Sequence, residues 1–215
     1  MFPLSGVQPV FSLESGRHLY LASASPRRRE LLESIALPFS IIRPKDAEPD
    51  PLVDEDPLSY AERAASAKGK AAISELAPKE NERFLLLAAD TIVCIDGEIL
   101  GKPANPANAF HMLRKLAGRS HKVVSSVHLA WNRGSSLMQC AFTEVTEVSF
   151  LPWPDKILKA YAQSEETLDK AGAYAIQGQG AFLAKSINGS WTNVVGLPLS
   201  ALVKKLLSLG LLLPS

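Results

Sequence analysis

Residues 19–37 read LYLASASPRRRELLESIAL. Leu19, Tyr20 and Leu21 suit a buried strand. Ser25 is a favourable N-cap and Pro26 a favourable first helical residue, and Leu31, Leu32 and Ile35 then share one helical face. The stretch therefore predicts strand, tight polar turn and helix, the opening unit of an α/β fold. Its first helical turn carries Arg27, Arg28 and Arg29, where the helix dipole disfavours cations. A bound anion removes that conflict, because free backbone N–H groups, guanidinium groups and the hydroxyls of Ser23 and Ser25 all donate. Two readings stand at this point: a phosphate site, or an exposed basic turn without a ligand.

The chain has 215 residues, 47% of them hydrophobic, and a formal net charge of +1. That length suits one domain with a substantial core. The charge balance makes no case for bulk nucleic-acid binding, so no nucleic-acid partner is expected and anion recognition has to be local. Cys94 and Cys140 are far apart, lack metal-like spacing and point to a reducing compartment. No apolar run reaches the roughly 18 residues of a membrane span. Residues 1–18 lack the basic start and apolar core of a signal peptide; they are expected to form a loosely held extension of a cytoplasmic protein.

Further along, residues 44–57 (PKDAEPDPLVDEDP) form an acidic, proline-rich loop, and residues 58–76 an Ala-rich helix carrying Lys68. Residues 84–95, FLLLAADTIVCI, are the strongest strand, apolar enough to be covered on both faces. Asp90 interrupts it, and a buried carboxylate needs a cation, strong hydrogen bonds or an opening to solvent. A catalytic or metal-binding role fits; an aspartate capping a strand end is the plainer alternative. Asp96-Gly97 predicts a tight hairpin. A regular return strand puts Lys102 opposite Thr91 and away from Asp90, so a bulge at Gly101 is expected if both serve one site.

Helices are expected over 106–116, 155–163 and from 198 to 209, and strands over 123–131 and 137–150, with Val145 and Val148 in the core. His121 and His128 are wrongly spaced for a metal pair. Residues 169–180, DKAGAYAIQGQG, are rich in glycine, so backbone can approach a ligand closely. The amide of Gln177 offers donor and acceptor together, which suits the edge of a base. A strand over 182–187, a hairpin at Asn188-Gly189 and a returning strand over 191–195 complete the expectation.

If Arg27, Arg28, Lys68 and Lys102 converge with the carboxylates of Glu48, Asp90 and Asp169, the site suits a polyphosphate with a divalent metal. One carboxylate can then orient or deprotonate a water. No Walker-type glycine loop is present, which excludes a P-loop enzyme.

Taken together and in order, ASASPRRRELL, AADTIV, ILGKP, DKAGAYAIQGQGAF, INGS and NVVGLPL resemble the Maf family of nucleoside triphosphate pyrophosphatases. The resemblance covers about residues 19–207, within a domain of residues 19–215. It implies an α/β fold like that of inosine-triphosphate pyrophosphatases, with an elongated mixed sheet, flanking helices and two lobes around a deep cleft. It also implies hydrolysis of a nucleoside triphosphate to the monophosphate and pyrophosphate, with Mg²⁺ or Mn²⁺, and suggests a homodimer. Asp90 matches the family's general base. Ser23, Arg27 and Arg28 match its phosphate-binding opening motif, and Glu48, Lys68 and Lys102 its other charged cleft positions, with Glu48 and Asp90 the implied metal carboxylates. Arg27, Thr91 and Gln177 resemble the branch acting on the pyrimidine triphosphates dTTP and UTP, with CTP a further candidate. The sister branch, acting on 7-methyl-GTP, tends to carry Trp, Gln and Glu there. A 7-methyl-GTP enzyme, or a nucleotide-binding regulator of septum formation without turnover, are the competing expectations.

Overall fold

A computed structural model describes residues 9–45, 49–76 and 82–215. The chain begins in strand β1 (Phe11–Leu13), followed by β2 (Arg17–Ala22), helix α1 (Pro26–Ser34), β3 (Phe39–Ile42) and helix α2 (Pro57–Glu75). Next come β4 (Arg83–Ile95), β5 (Glu98–Leu100), α3 (Pro106–Leu116), β6 (Ser120–Arg133), β7 (Ser136–Phe150) and α4 (Asp155–Ala162). Three short 3₁₀ turns, Glu165–Thr167, Ala171–Ala173 and Gln179–Leu183, lead to β8 (Ala184–Asn188). Helices α5 (Trp191–Val195) and α6 (Leu199–Ser208) and strand β9 (Leu212–Pro214) end the chain.

The expected loose extension is corrected by the described part of it. Strand β1 pairs antiparallel with β9, Phe11 opposite Pro214. Arg17 is buried, and its guanidinium donates to the Phe84 carbonyl at 2.6 Å and to Glu14 Oε2 at 2.8 Å. The sequence pattern hid this because a three-residue strand is too short to show a period.

The main sheet has the order β3-β2-β4-β6-β7-β8, with β5 also paired to β4. It is mixed, as expected: β3, β2 and β4 run parallel, whereas β4, β6, β7 and β8 are antiparallel neighbours. Strand β4 explains the two lobes. Its first half, Arg83–Ala88, pairs with β2, and its last residues, Val93–Ile95, pair with β5. Residues 89–92 lie between these partners, where the sheet opens. On the other side β6 pairs with β4 from Leu85 to Cys94 without interruption and ties the lobes together.

Side chains of a strand alternate between faces, and the two halves of β4 bury different clusters on each. Leu85, Leu87 and Ala89 pack with Leu31 and Leu32 of α1 and Leu202 of α6. Val93 and Ile95, on the same face, pack with Leu113 of α3 and Leu158 of α4. On the opposite face Phe84, Leu86 and Ala88 meet Ala72 of α2, whereas Ile92 and Cys94 meet Ala61. Thr91 stands between the clusters on the first face and Asp90 between those on the second. Two adjacent polar residues thus mark the level at which both hydrophobic layers are interrupted.

Three expectations are corrected. The segment 191–195 is helix α5, not a returning strand: Ser190 Oγ accepts from the Asn193 N–H and caps it. That local cap overrides the β-propensity of Trp, Thr and Val. Gly189, at φ 128°, belongs to the entry into this helix. Val145 is exposed and Val148 buried, because positions three apart on a strand point to opposite faces. The Lys102 segment contains no bulge. Pairing with β4 stops at Leu100, and the Gly101 carbonyl accepts from Gly172 N–H at 3.1 Å, which draws the chain out of the sheet.

Candidate active site

The opening beside residues 89–92 of β4 leads into a cleft of about 770 Å³. Its walls come from the end of β2, the start of α1, the middle of α2, β4, the segment after β5, and the glycine-rich stretch before β8. Ligands commonly bind where the carboxyl ends of parallel strands meet a change of strand order. Ser23, directly after β2, and Arg43, directly after β3, both occupy that edge.

Of the residues singled out from sequence, Ser23, Arg27, Arg28, Lys68, Asp90, Thr91, Lys102 and Gln177 all line this cleft. Glu48 lies outside the described residues. Asp169 also lines the cleft.

Asp90 and Lys68 form an ion pair at 2.6 Å between Oδ1 and Nζ, both residues being buried. Helix α2 presents the lysine because it runs close over the sheet at the next residue. A Cβ on Gly69 would lie 2.2 Å from Cδ2 of the buried His128 ring. The pair supplies the cation that the buried carboxylate required.

Arg28, buried at the start of α1, acts on the other face. Its Nε donates to the Gly196 carbonyl at 2.8 Å, one terminal nitrogen to Ser23 Oγ at 3.3 Å, and the other to Thr91 Oγ1 at 3.1 Å. These three acceptors carry no charge. Thr91 is held in turn by Ser125 Oγ at 2.8 Å, and Ser125 donates to the Asn193 carbonyl at 3.2 Å. The Asn193 amide donates to the Val123 carbonyl and to Thr146 Oγ1, which fixes α5 against the sheet. Arg27 approaches Asp169 from the facing lobe at 3.8 Å. Asp169 is also paired with Lys170.

Tyr174 of the glycine-rich stretch lines the cleft and reaches back into the core. Tyr174 Oη and His121 Nε2 are 2.8 Å apart. Burial pushes the tyrosine well above its usual range and lowers the histidine to about 4, so both are neutral near pH 7. His121 and His128 fall on opposite faces of β6, consistent with their not forming a metal pair. Burial also raises the Cys94 thiol, which fits an inert core residue.

Two further groups reach the site with little or no local signature in the sequence, Arg43 and the Gly196 carbonyl. A cation following a parallel strand was the available signal for Arg43. Gly196 offered no comparable signal: its role depends on φ 128° and on a carbonyl aimed back at α1.

Among the described residues no group of three or more His, Cys, Asp or Glu side chains could enclose a metal. Mg²⁺ is nevertheless commonly held by one or two carboxylates together with substrate phosphates and water. Asp90, with Asp169 on the same cleft, fits that open arrangement better than an all-protein cage.

Comparison with known proteins agrees with this architecture. Residues 18–209 match the model of the family described as Maf-like protein. A dTTP/UTP pyrophosphatase of Nitratidesulfovibrio vulgaris is 47% identical over 190 residues, 88% of this chain and 87% of that protein. The dTTP/UTP pyrophosphatase of Oleidesulfovibrio alaskensis is 44% identical over 91% of this chain and 86% of its own length. That of Geobacter sulfurreducens is 43% identical over 93% of this chain and 100% of its own. A sheet that changes partner at Asp90 and Thr91, a cationic cleft at that level and a family match across nearly the whole chain establish that this protein belongs to the Maf family.

Proposed function

We propose that the protein hydrolyses pyrimidine nucleoside triphosphates, dTTP and UTP foremost and CTP as a further candidate, to the monophosphate and pyrophosphate. One observation carries this reading: cationic side chains from separate elements and the Lys68–Asp90 pair line a single cleft. The names of the relatives support the substrate class.

In this reading the triphosphate tail lies against Ser23, Arg27, Arg28, Lys68 and Lys102. Their hydrogen bonds and charge stabilise the negative charge that moves onto the leaving pyrophosphate. Asp90 takes a proton from the attacking water, and the anhydride bond between the α- and β-phosphoryl groups breaks. Lys68, paired with it at 2.6 Å, orients the carboxylate for that task. Asp90 and Asp169 would hold a divalent cation, Mg²⁺ or Mn²⁺, with Glu48 the further carboxylate expected from sequence; when bound it neutralises phosphate oxygens. Gln177 pairs donor and acceptor with the pyrimidine edge, and Arg27 and Thr91 complete the discrimination.

The test is pyrophosphate release from a panel of dTTP, UTP, CTP, dGTP and 7-methyl-GTP with Mg²⁺ or Mn²⁺. The expected result is fastest release from dTTP or UTP. Preference for 7-methyl-GTP would move the protein to the sister specificity, and no release from any of them would reject catalysis.

A further inference from the structure

We propose that Glu166 is a positioning residue for Gln177. With Tyr161 it clamps residues 175–180 at one end of the cleft and so sets the preference for the substrate's base. The inference rests on the proposed function in taking Gln177 as the group that meets the base.

The clamp closes on both sides of Gln177. Tyr161, buried on α4, donates from Oη to Glu166 Oε2 at 2.8 Å and accepts from the Ala175 N–H at 3.2 Å. Glu166, in the 3₁₀ turn after α4, accepts from the Gln179 N–H on Oε1 at 3.3 Å and from the Gly180 N–H on Oε2 at 3.1 Å. One tyrosine and one carboxylate therefore hold backbone before and after the glutamine. The loop is built around them with no room to spare. A Cβ on Gly178 (φ 108°) would lie 2.1 Å from Glu166 Oε1, and one on Gly180 would lie 2.2 Å from Tyr161 Oη. Two glycines of IQGQG are thus required by the clamp.

A carboxylate suits this place because both of its oxygens accept. Three donors converge on it: two backbone amides and a phenol. An amide in its place has one accepting atom, and its NH₂ group would face a backbone N–H donor to donor. Glu166→Gln therefore releases one side of the loop with almost no change in shape. Tyr161→Phe removes the phenol from the clamp and leaves its ring against Phe182, now at 5.9 Å between centroids.

The experiment combines amide hydrogen exchange with steady-state kinetics on the wild type, E166Q, Y161F, Q177A and the E166Q/Q177A double variant. In E166Q the Gln179 and Gly180 amides lose protection while β4 and β6 keep theirs. The KM for dTTP rises about tenfold, the scale of one charge-assisted hydrogen bond, while kcat stays within about twofold, as expected when uniform binding is lost. The ratio of kcat/KM for dTTP to that for dGTP falls, and Y161F moves in the same direction. The double variant is no worse than Q177A, because Glu166 acts through Gln177. Unchanged exchange at both amides, full additivity with Q177A, or an equal loss of kcat for dTTP and dGTP would each overturn the proposal. A wild type that leaves dTTP and UTP intact counts against the proposed function and its dependent specificity claim; the exchange result still decides whether Glu166 anchors the loop.

Discussion

Asp90 and Arg28 show what a single residue does here. A carboxylate in the middle of a thirteen-residue strand is costly unless something compensates for its charge, and Lys68 does so at 2.6 Å. Asp90→Asn keeps the shape and removes the proposed base, so turnover of dTTP should fall about 100- to 10,000-fold while the far-ultraviolet circular dichroism stays unchanged. Turnover within twofold of wild type would remove Asp90 from the chemistry. Arg28 spreads its planar fork over three acceptors on three segments, and an ammonium group cannot reproduce that fork. Arg28→Lys should therefore reduce kcat/KM about tenfold or more, with a lower melting temperature because α1, β4 and Gly196 lose a shared partner.

Among the elements, α2 positions the site by its closeness to the sheet. Gly69 permits that approach, and Gly69→Ala drives a methyl group into the His128 ring. The helix has to move outward, so a loss of about 1–3 kcal/mol in denaturant unfolding is expected. A fall in kcat should accompany it, because Lys68 moves with Gly69. Activity unchanged in a destabilised variant would separate the helix from the site. Much of this was legible in the sequence. The 19–37 unit, the long apolar strand, α2 and α3 follow from apolar periodicity, caps and glycine stops, and Arg27, Arg28 and Asp90 were visible as charges misplaced in otherwise ordinary elements, whereas Lys68 and Lys102 had ordinary local readings and were matched to the cleft through the family resemblance. What could not be read depended on tertiary partners. Residues 191–195 have the composition of a strand and become α5 through the Ser190 cap and the Asn193 anchors. Lys102 reaches the cleft because Gly172 draws Gly101 away from the sheet, a contact across 71 positions with no local signature. Gly69 likewise looks like a weak point in a helix until His128 is placed beneath it.

At the scale of the whole molecule, β6 spans both lobes and contributes Val123 to the cleft. His121 is buried in the distal lobe's core, and its pKa is lowered to about 4 by burial. The unfolded chain binds its proton with a pKa near 6.5, so below that value the unfolded state holds more protons than the folded one. Stability contributed by the neutral histidine is complete above pH 6.5 and falls as the pH drops towards 4, by roughly 2–3 kcal/mol. Urea midpoints measured between pH 7.5 and 4.5 should show that decline, and His121→Gln should flatten it. The same lobe carries Gln177, whereas the opposing lobe carries Ser23, Arg27 and Arg28, so the proposed triphosphate site draws on both halves of the fold. No helix among the described residues is long and apolar enough to cross a membrane.

The most direct measurement is a crystal structure with a non-hydrolysable α,β-imido analogue of dTTP and Mg²⁺. Phosphates should contact Arg28, Lys68 and Lys102, an ion should lie beside Asp90, and the thymine edge should lie against Gln177. A triphosphate seated elsewhere, or one whose phosphates avoid the Asp90 level of the cleft, would contradict the proposed site.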